Sequence, residues 1–223
     1  MCSHYQGIKE RERYFRQFHV MPPNDDGRYD VWPCYPATFI RRPRGVGALG
    51  DAVAAREALS GLFGLIPHWT ADAKIGRRTY NARSETVASK PSFRDAWNNG
   101  QHCIIPADAI FETDWRSGEA IQTRISRIDL EPIGIAGPWS AWNAPNGQMH
   151  SFTMLTINAD QHPLTSQFHK PRDEKRMVVI LPQDSYDHWL HAGPDESMKV
   201  MRPFPSDQLQ TEAEAPAQTS LLT

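Results

Sequence analysis

Short apolar runs separated by Gly and Pro recur through the second half of the chain. Segments 103–105, 109–113, 121–128, 132–136, 151–157 and 176–181 have the length and the β-branched or aromatic content of strands. Pro106, Gly118, Gly137-Pro138 and Pro145-Asn146-Gly147 punctuate them. The first half is more mixed. Ile8, Phe15 and Phe18 share one face among charges, which predicts a short amphipathic helix over 8–19. Segments 21–36 and 43–50 read as loops. Segments 37–42 and 62–66 read as strands, the second stopped by Pro67. Helices are predicted over 92–98, entered after Pro91, and over 184–191, with Asp184 as N-cap. Many short strands and few helices give an α+β class: a single domain with a curved, mainly antiparallel sheet, barrel-like at its core, flanked by short helices. From residue 205 the composition turns to Gln, Ala, Ser, Thr, Glu and Pro. That predicts a domain over 1–204 and a disordered tail over 205–223.

Composition narrows the function classes. At 223 residues with seven Trp, the chain can bury a substantial core. No run is long and apolar enough to span a membrane, and no signal-peptide core follows the charged start. The three cysteines, Cys2, Cys34 and Cys103, form no CxxC pair, so neither a disulfide framework nor a structural zinc site is expected. The expectation is a reduced, cytoplasmic monomer without metal or cofactor. Cys34 and Cys103 read as small buried hydrophobes. The net charge of −2 gives no global footprint for nucleic acid, but 18 of the 24 basic residues are Arg, the better fork for phosphate. Local basic grooves are possible from Arg41, Arg42 and Arg44, or from Arg77, Arg78 and Arg83; for any one of them a solvated surface charge is the simpler reading.

Chemistry concentrates at a few positions. Removal of Met1 would leave Cys2 with a free α-amine and a thiol on one residue. Such a 1,2-aminothiol condenses with an aldehyde to a Schiff base and then closes a thiazolidine ring. The polar stretch Tyr80-Asn81-Ala82-Arg83-Ser84-Glu85-Thr86 could hold an amine or a phosphate; it could equally be a helix entry capped by Ser84 or Thr86. Glu112 ends an apolar run, where partial burial would suit a general acid or base; the alternative is a strand-end carboxylate in water. His169 lies in a loop before a strand, one of nine His in the chain. Trp69, after Gly64-Leu65-Ile66-Pro67-His68, could stack on a base of single-stranded nucleic acid or simply fill the core. No GxSxG, P-loop, GxGxxG or HExxH is present.

Together these motifs resemble the SRAP family, the SOS response-associated peptidase-like proteins. Met1-Cys2, GLIPHW at 64–69, NARSET at 81–86, CIIPADAIFE at 103–112, TINA at 156–159 and His169 with Arg176-Met177 come in that family's order. The resemblance covers roughly residues 1–190. It implies a mixed α/β domain with an open basic channel, and a DNA-damage protein that senses abasic sites in single-stranded DNA. Cys2 would form a covalent thiazolidine crosslink after autocatalytic loss of Met1, with associated abasic-site lyase activity, and the protein would be nucleoid-associated when crosslinked. By the same resemblance, Asn81 orients the terminal amine, Glu112 is the acid/base beside it, and His169 helps open the deoxyribose ring. Arg83 and Arg176 are implied phosphate contacts and Trp69 a groove-lining or stacking aromatic, with Arg41, from the possible basic groove, as a further DNA-binding candidate. The chain departs from the family's Cys-Gly-Arg-Phe start with Cys2-Ser3-His4-Tyr5, which puts His4 where a phosphate-binding Arg is usual. The His-to-Arg spacing is also stretched, leaving Arg172 as a competitor to Arg176. Two other classes remain open: a thiol peptidase acting in trans, and a non-covalent single-stranded DNA-binding module.

Overall fold

The structure is a computed structural model that describes residues 2–25, 27–44, 55–145 and 147–214. Its strands are β1 (His4–Gln6), β2 (Asp30–Val31), β3 (Pro36–Arg41), β4 (Glu57–Phe63), β5 (Asn81–Arg83), β6 (His102–Ala107), β7 (Ala109–Asp114), β8 (Ile121–Arg127), β9 (Ile133–Ala144), β10 (Gly147–Phe152), β11 (Met154–Asn158), β12 (Arg176–Val178), β13 (Ile180–Leu181) and β14 (Leu209–Ala213). Its α-helices are α1 (Arg11–Phe18), α2 (Arg94–Asn98), α3 (Tyr186–His191) and α4 (Pro194–Ser197). Mostly antiparallel strands with a few short helices make this the α+β domain expected from the pattern. No helix among the described residues is long and apolar enough to cross a membrane.

The central sheet has the order β10-β4-β3-β6-β9-β13, and β10 also pairs with β9. That extra pairing closes β4, β3, β6, β9 and β10 into a ring and removes their free edges. β9 can do this because it changes partners midway. Residues 133–138 face β6, and residues 139–144 face β10. The change falls at Gly137-Pro138, which the sequence pattern reads as a break but which is a corner inside one continuous strand. A side chain at Gly137 would put its Cβ 1.9 Å from the Thr153 carbonyl oxygen, while the Thr153 N–H donates to the Pro138 carbonyl at 3.1 Å.

Single residues carry the chain from sheet to sheet. Asp108 separates β6 from β7, which belongs to a second sheet ordered β14-β8-β7-β1-β2. Its N–H donates to the Gln6 carbonyl, and its carboxylate receives Arg13 from α1. Thr153 separates β10 from β11, the middle strand of a third sheet, β12-β11-β5. Phe39, Phe63, Trp139 and Phe152 meet as a ring cluster within the barrel. Trp97 and Trp189 pack outside it around His102.

Several expectations are corrected. The strand expected over 62–66 lies earlier, at β4. The helix over 184–191 starts with a 3-10 turn, and the N-cap of α3 is Ser185 rather than Asp184. The tail is partly ordered: β14 pairs with β8 from Leu209↔Arg127 to Ala213↔Thr123. Its composition hid this because only Leu209 is buried and the strand is held through its backbone. Residues 215–223, 45–50 of the predicted loop, and Asn146 of the predicted turn lie outside the described residues.

Gly137→Ala should therefore destabilise the protein by about 2 kcal/mol or more, because the nearest atom met, the Thr153 carbonyl oxygen, is backbone and cannot turn aside as the Ile105 methyl behind it could. Urea unfolding of the two proteins measures this; an unchanged midpoint would contradict the corner geometry.

Candidate functional site

Strand β1 brings the start of the chain into the interior. It lies antiparallel between β2 and β7, with His4 opposite Phe111 and Tyr5 opposite Ile110. Extending that register places the residues before β1 beside Glu112 and Thr113. Cys2 is fully buried, and its Sγ–H donates to the His4 carbonyl at 3.3 Å. Asn81, the first residue of β5, donates from Nδ2 to the Cys2 carbonyl at 2.6 Å. Its Oδ1 is buried and accepts no hydrogen bond among the described residues. Met1 lies outside them.

Glu112 and His169 meet beside Cys2. The His169 Nε2 and Glu112 Oε2 atoms are 3.2 Å apart, and both side chains are largely buried. The loop holding His169 is tied to the end of β7. The His169 N–H donates to the Thr113 carbonyl at 3.0 Å, and Phe168, itself buried, bridges to Asp114. His169 has φ 65, a left-handed conformation that costs a non-glycine residue about 1 kcal/mol or more and persists only where its surroundings impose it. Burial pushes the Cys2 thiol up to about 12, and the Glu112 carboxylate adds to the rise. The thiol is therefore neutral near pH 7. Burial also raises the Tyr80 phenol, with Cys2 and Glu112 contributing, which puts Tyr80 in the same electrostatic neighbourhood. The sequence pattern sets Tyr80 in the polar stretch with Asn81 but gives it no role of its own.

The expected DNA contacts divide. Trp69 is 52% exposed, and its segment is held to β9 by the Trp142 indole N–H donating to the Thr70 carbonyl at 2.8 Å. Arg83 is half exposed and pairs with Glu174 at 2.6 Å. Arg172 is exposed. Arg41 is nearly buried, bonded to Glu57 at 2.7 Å and placed over the Trp139 ring at 4.0 Å. Arg176 is only 2% exposed; it grips Glu85 and Glu174 and donates to the Thr156 carbonyl at 2.7 Å. This geometry gives it a structural job joining β12, β11 and the turn after β5, in place of the open phosphate contact expected. His4 is spent as well. It lies between Trp32 and Phe111, with Nε2 on Asp30 at 3.0 Å and Nδ1 on Gln122 at 2.6 Å.

Known proteins share this chain's sequence pattern and fold. The sequence model of the SOS response associated peptidase (SRAP) family matches residues 1–215. The chain is similar to a Bacillus subtilis protein named abasic site processing protein YobE, 33% identical over 217 residues and covering 94% of this chain and 92% of that one. It is 26% identical over 226 residues to the Gallus gallus abasic site processing protein HMCES, covering 89% of this chain and 63% of that protein. A Bordetella bronchiseptica crystal structure superposes with a TM-score of 0.86 at 44% identity, covering 96% of this chain and all of that one.

The geometry has measurable consequences at Cys2, Glu112 and Arg176. In protein that retains Met1, alkylation of Cys2 followed by peptide mass spectrometry should be slow at pH 7 and rise with pH without a plateau below about 11. Glu112→Gln removes a negative neighbour and should shift that profile to lower pH; an unshifted profile would mean the carboxylate does not act on the thiol. Arg176→Gln breaks the buried guanidinium's bonds to Glu85 and Glu174, leaving the Thr156 carbonyl to the Ser84 N–H alone, and should cost about 1–3 kcal/mol in urea unfolding. It should leave the salt dependence of any DNA binding unchanged.

Proposed function

Because the chain belongs to the SRAP family, we propose that it processes abasic sites in single-stranded DNA, and does so covalently through Cys2 once Met1 is removed. The relatives' names support the abasic-site role. The observation that carries the covalent reading is the meeting of Cys2, Asn81, Glu112 and His169 at the end of β1, with Asn81 2.6 Å from the Cys2 carbonyl and Glu112 3.2 Å from His169.

Hydrolysis of the Met1–Cys2 peptide bond releases methionine and frees the Cys2 amine. The Oδ1 of Asn81, which accepts no hydrogen bond among the described residues, is an acceptor suited to that amine. An abasic deoxyribose must first open to its aldehyde, which needs a proton at the ring oxygen; His169, paired with Glu112, supplies it. The amine then attacks the aldehyde carbon to give a carbinolamine. Loss of water, again assisted by the Glu112–His169 pair, gives the protonated Schiff base. The thiol adds to that carbon, its proton passes to a base, and the iminium nitrogen becomes a neutral ring amine. The net reaction is aldehyde plus aminothiol to thiazolidine plus water. A neutral thiol fits this order, with nitrogen attacking first and sulfur closing onto an activated carbon. β-Elimination from the Schiff base would give the lyase activity. Arg83, Arg172 and Trp69 are the exposed groups suited to hold the strand.

A thiol peptidase acting in trans needs a thiolate at neutral pH, and the burial that lifts Cys2 to about 12 opposes it.

Incubating Met1-processed protein with an oligonucleotide carrying one abasic site should give a heat-stable shifted band on a denaturing gel. Cys2→Ala should abolish the band, and Glu112→Gln or His169→Ala should slow its formation by roughly 10²-fold or more without loss of fold. Absence of the band with processing verified by mass spectrometry would overturn the covalent reading.

A further inference from the structure

The proposed reaction leaves unexplained a set of rings beside it. Phe111 of β7, His4 of β1 and Trp32, which follows β2, form one parallel stack. His4 lies 4.1 Å from Phe111 at 12° and 4.2 Å from Trp32 at 7°. Phe111 is buried at one end, and Trp32 is 39% exposed at the other. The stack is pinned laterally because both His4 nitrogens are bonded, one to Asp30 and one to Gln122. Trp32 follows directly on the Tyr5↔Val31 pairing of β1 with β2, so its backbone is anchored. Among the described residues, its ring makes no other ring or cation contact.

An indole held parallel on a fixed stack, with its outer face open to solvent, is a surface on which another flat ring can be laid. Its place on the chain matters: His4 follows Cys2 by two residues, about 7 Å of strand. From this geometry we infer that Trp32 is a stacking platform for a nucleobase flanking the abasic site. His4, bonded at both ring nitrogens, braces an aromatic surface suited to a base. Every base has a π-face, so the platform is sequence-tolerant, and purines, with the larger ring system, bind it better than pyrimidines. The inference rests on the proposed function for the identity of the strand, but its chemistry is separate from the crosslink.

The test uses the full chain, Met1-processed, and single strands carrying a tetrahydrofuran abasic analogue, which has no aldehyde and cannot be crosslinked. The fluorescent base 2-aminopurine is placed at each position flanking the analogue. Wild-type protein should quench it at one flanking position. Trp32→Ala should lose that quenching and weaken binding by about 5- to 100-fold, while Trp32→Phe retains part of both. Equal quenching and affinity in Trp32→Ala would overturn the platform, as would wild-type protein that quenches at no position. A Trp32→Ala protein that melts lower yet quenches and binds like wild type gives the stack a folding role only, and also overturns the inference. Quenching by wild type without any covalent band on a natural abasic site would refute the proposed crosslink and leave the platform standing.

Discussion

The site depends on holding a chain terminus still. Termini ordinarily fray, because few contacts repay the entropy of ordering them. Here β1 is laid between two other strands, Tyr5 is driven fully into the core, and Asn81 clasps the Cys2 carbonyl. Each of these restraints comes from a different part of the sequence. β7 supplies both the strand that pairs with β1 and Glu112, so strand pairing and acid/base placement are one event. The loop carrying His169 is fixed to the next residue of that same strand. Losing the β1–β7 register would therefore scatter the whole constellation.

That restraint carries a chemical consequence. Burial holds the Cys2 sulfur neutral and quiet toward indiscriminate electrophiles. In the proposed reaction this suits a nucleophile meant for a carbonyl, where nitrogen condenses reversibly before sulfur commits. The Glu112–His169 pair adds proton capacity without exposing the site, since both side chains are largely buried.

How much of this was legible in the sequence differs by element. β3 and the start of β6 read correctly because they are buried over nearly their whole length, whereas β4 and β10, only partly buried, were displaced or missed. Pro106 and Gly137-Pro138 misled in opposite ways: a proline can occupy a strand where its missing N–H is not needed, and a Gly-Pro pair can turn a corner without ending pairing. β1 was invisible because three residues show no periodicity, and β14 because one buried Leu in a polar run does not mark a strand. The local motifs located Asn81, Glu112 and His169, but only tertiary packing brings them to Cys2. Arg176 shows the limit most clearly. A guanidinium suits phosphate and carboxylate equally, and nothing in the linear sequence says that Glu85 and Glu174 will reach it first.

The same competition shapes the surface that would face a strand. Eighteen arginines suggest an extensive phosphate-binding face, yet Arg13, Arg41, Arg56, Arg116, Arg127 and Arg176 are each engaged with a carboxylate. Charge committed to ion pairs within the protein does little to attract a polyanion, which agrees with the near-neutral balance of the chain. Recognition then leans on exposed cations outside those pairs, among them Arg42, Arg77, Arg78 and Arg172, and on flat rings at the surface, Trp69 and Trp32. Stacking needs an unpaired base and is weakly screened by salt, whereas phosphate contacts form on single and double strands alike and weaken as salt rises. In the proposed reading, a preference for an unpaired strand rests on exposed rings such as Trp32, stacked on His4 two residues from Cys2.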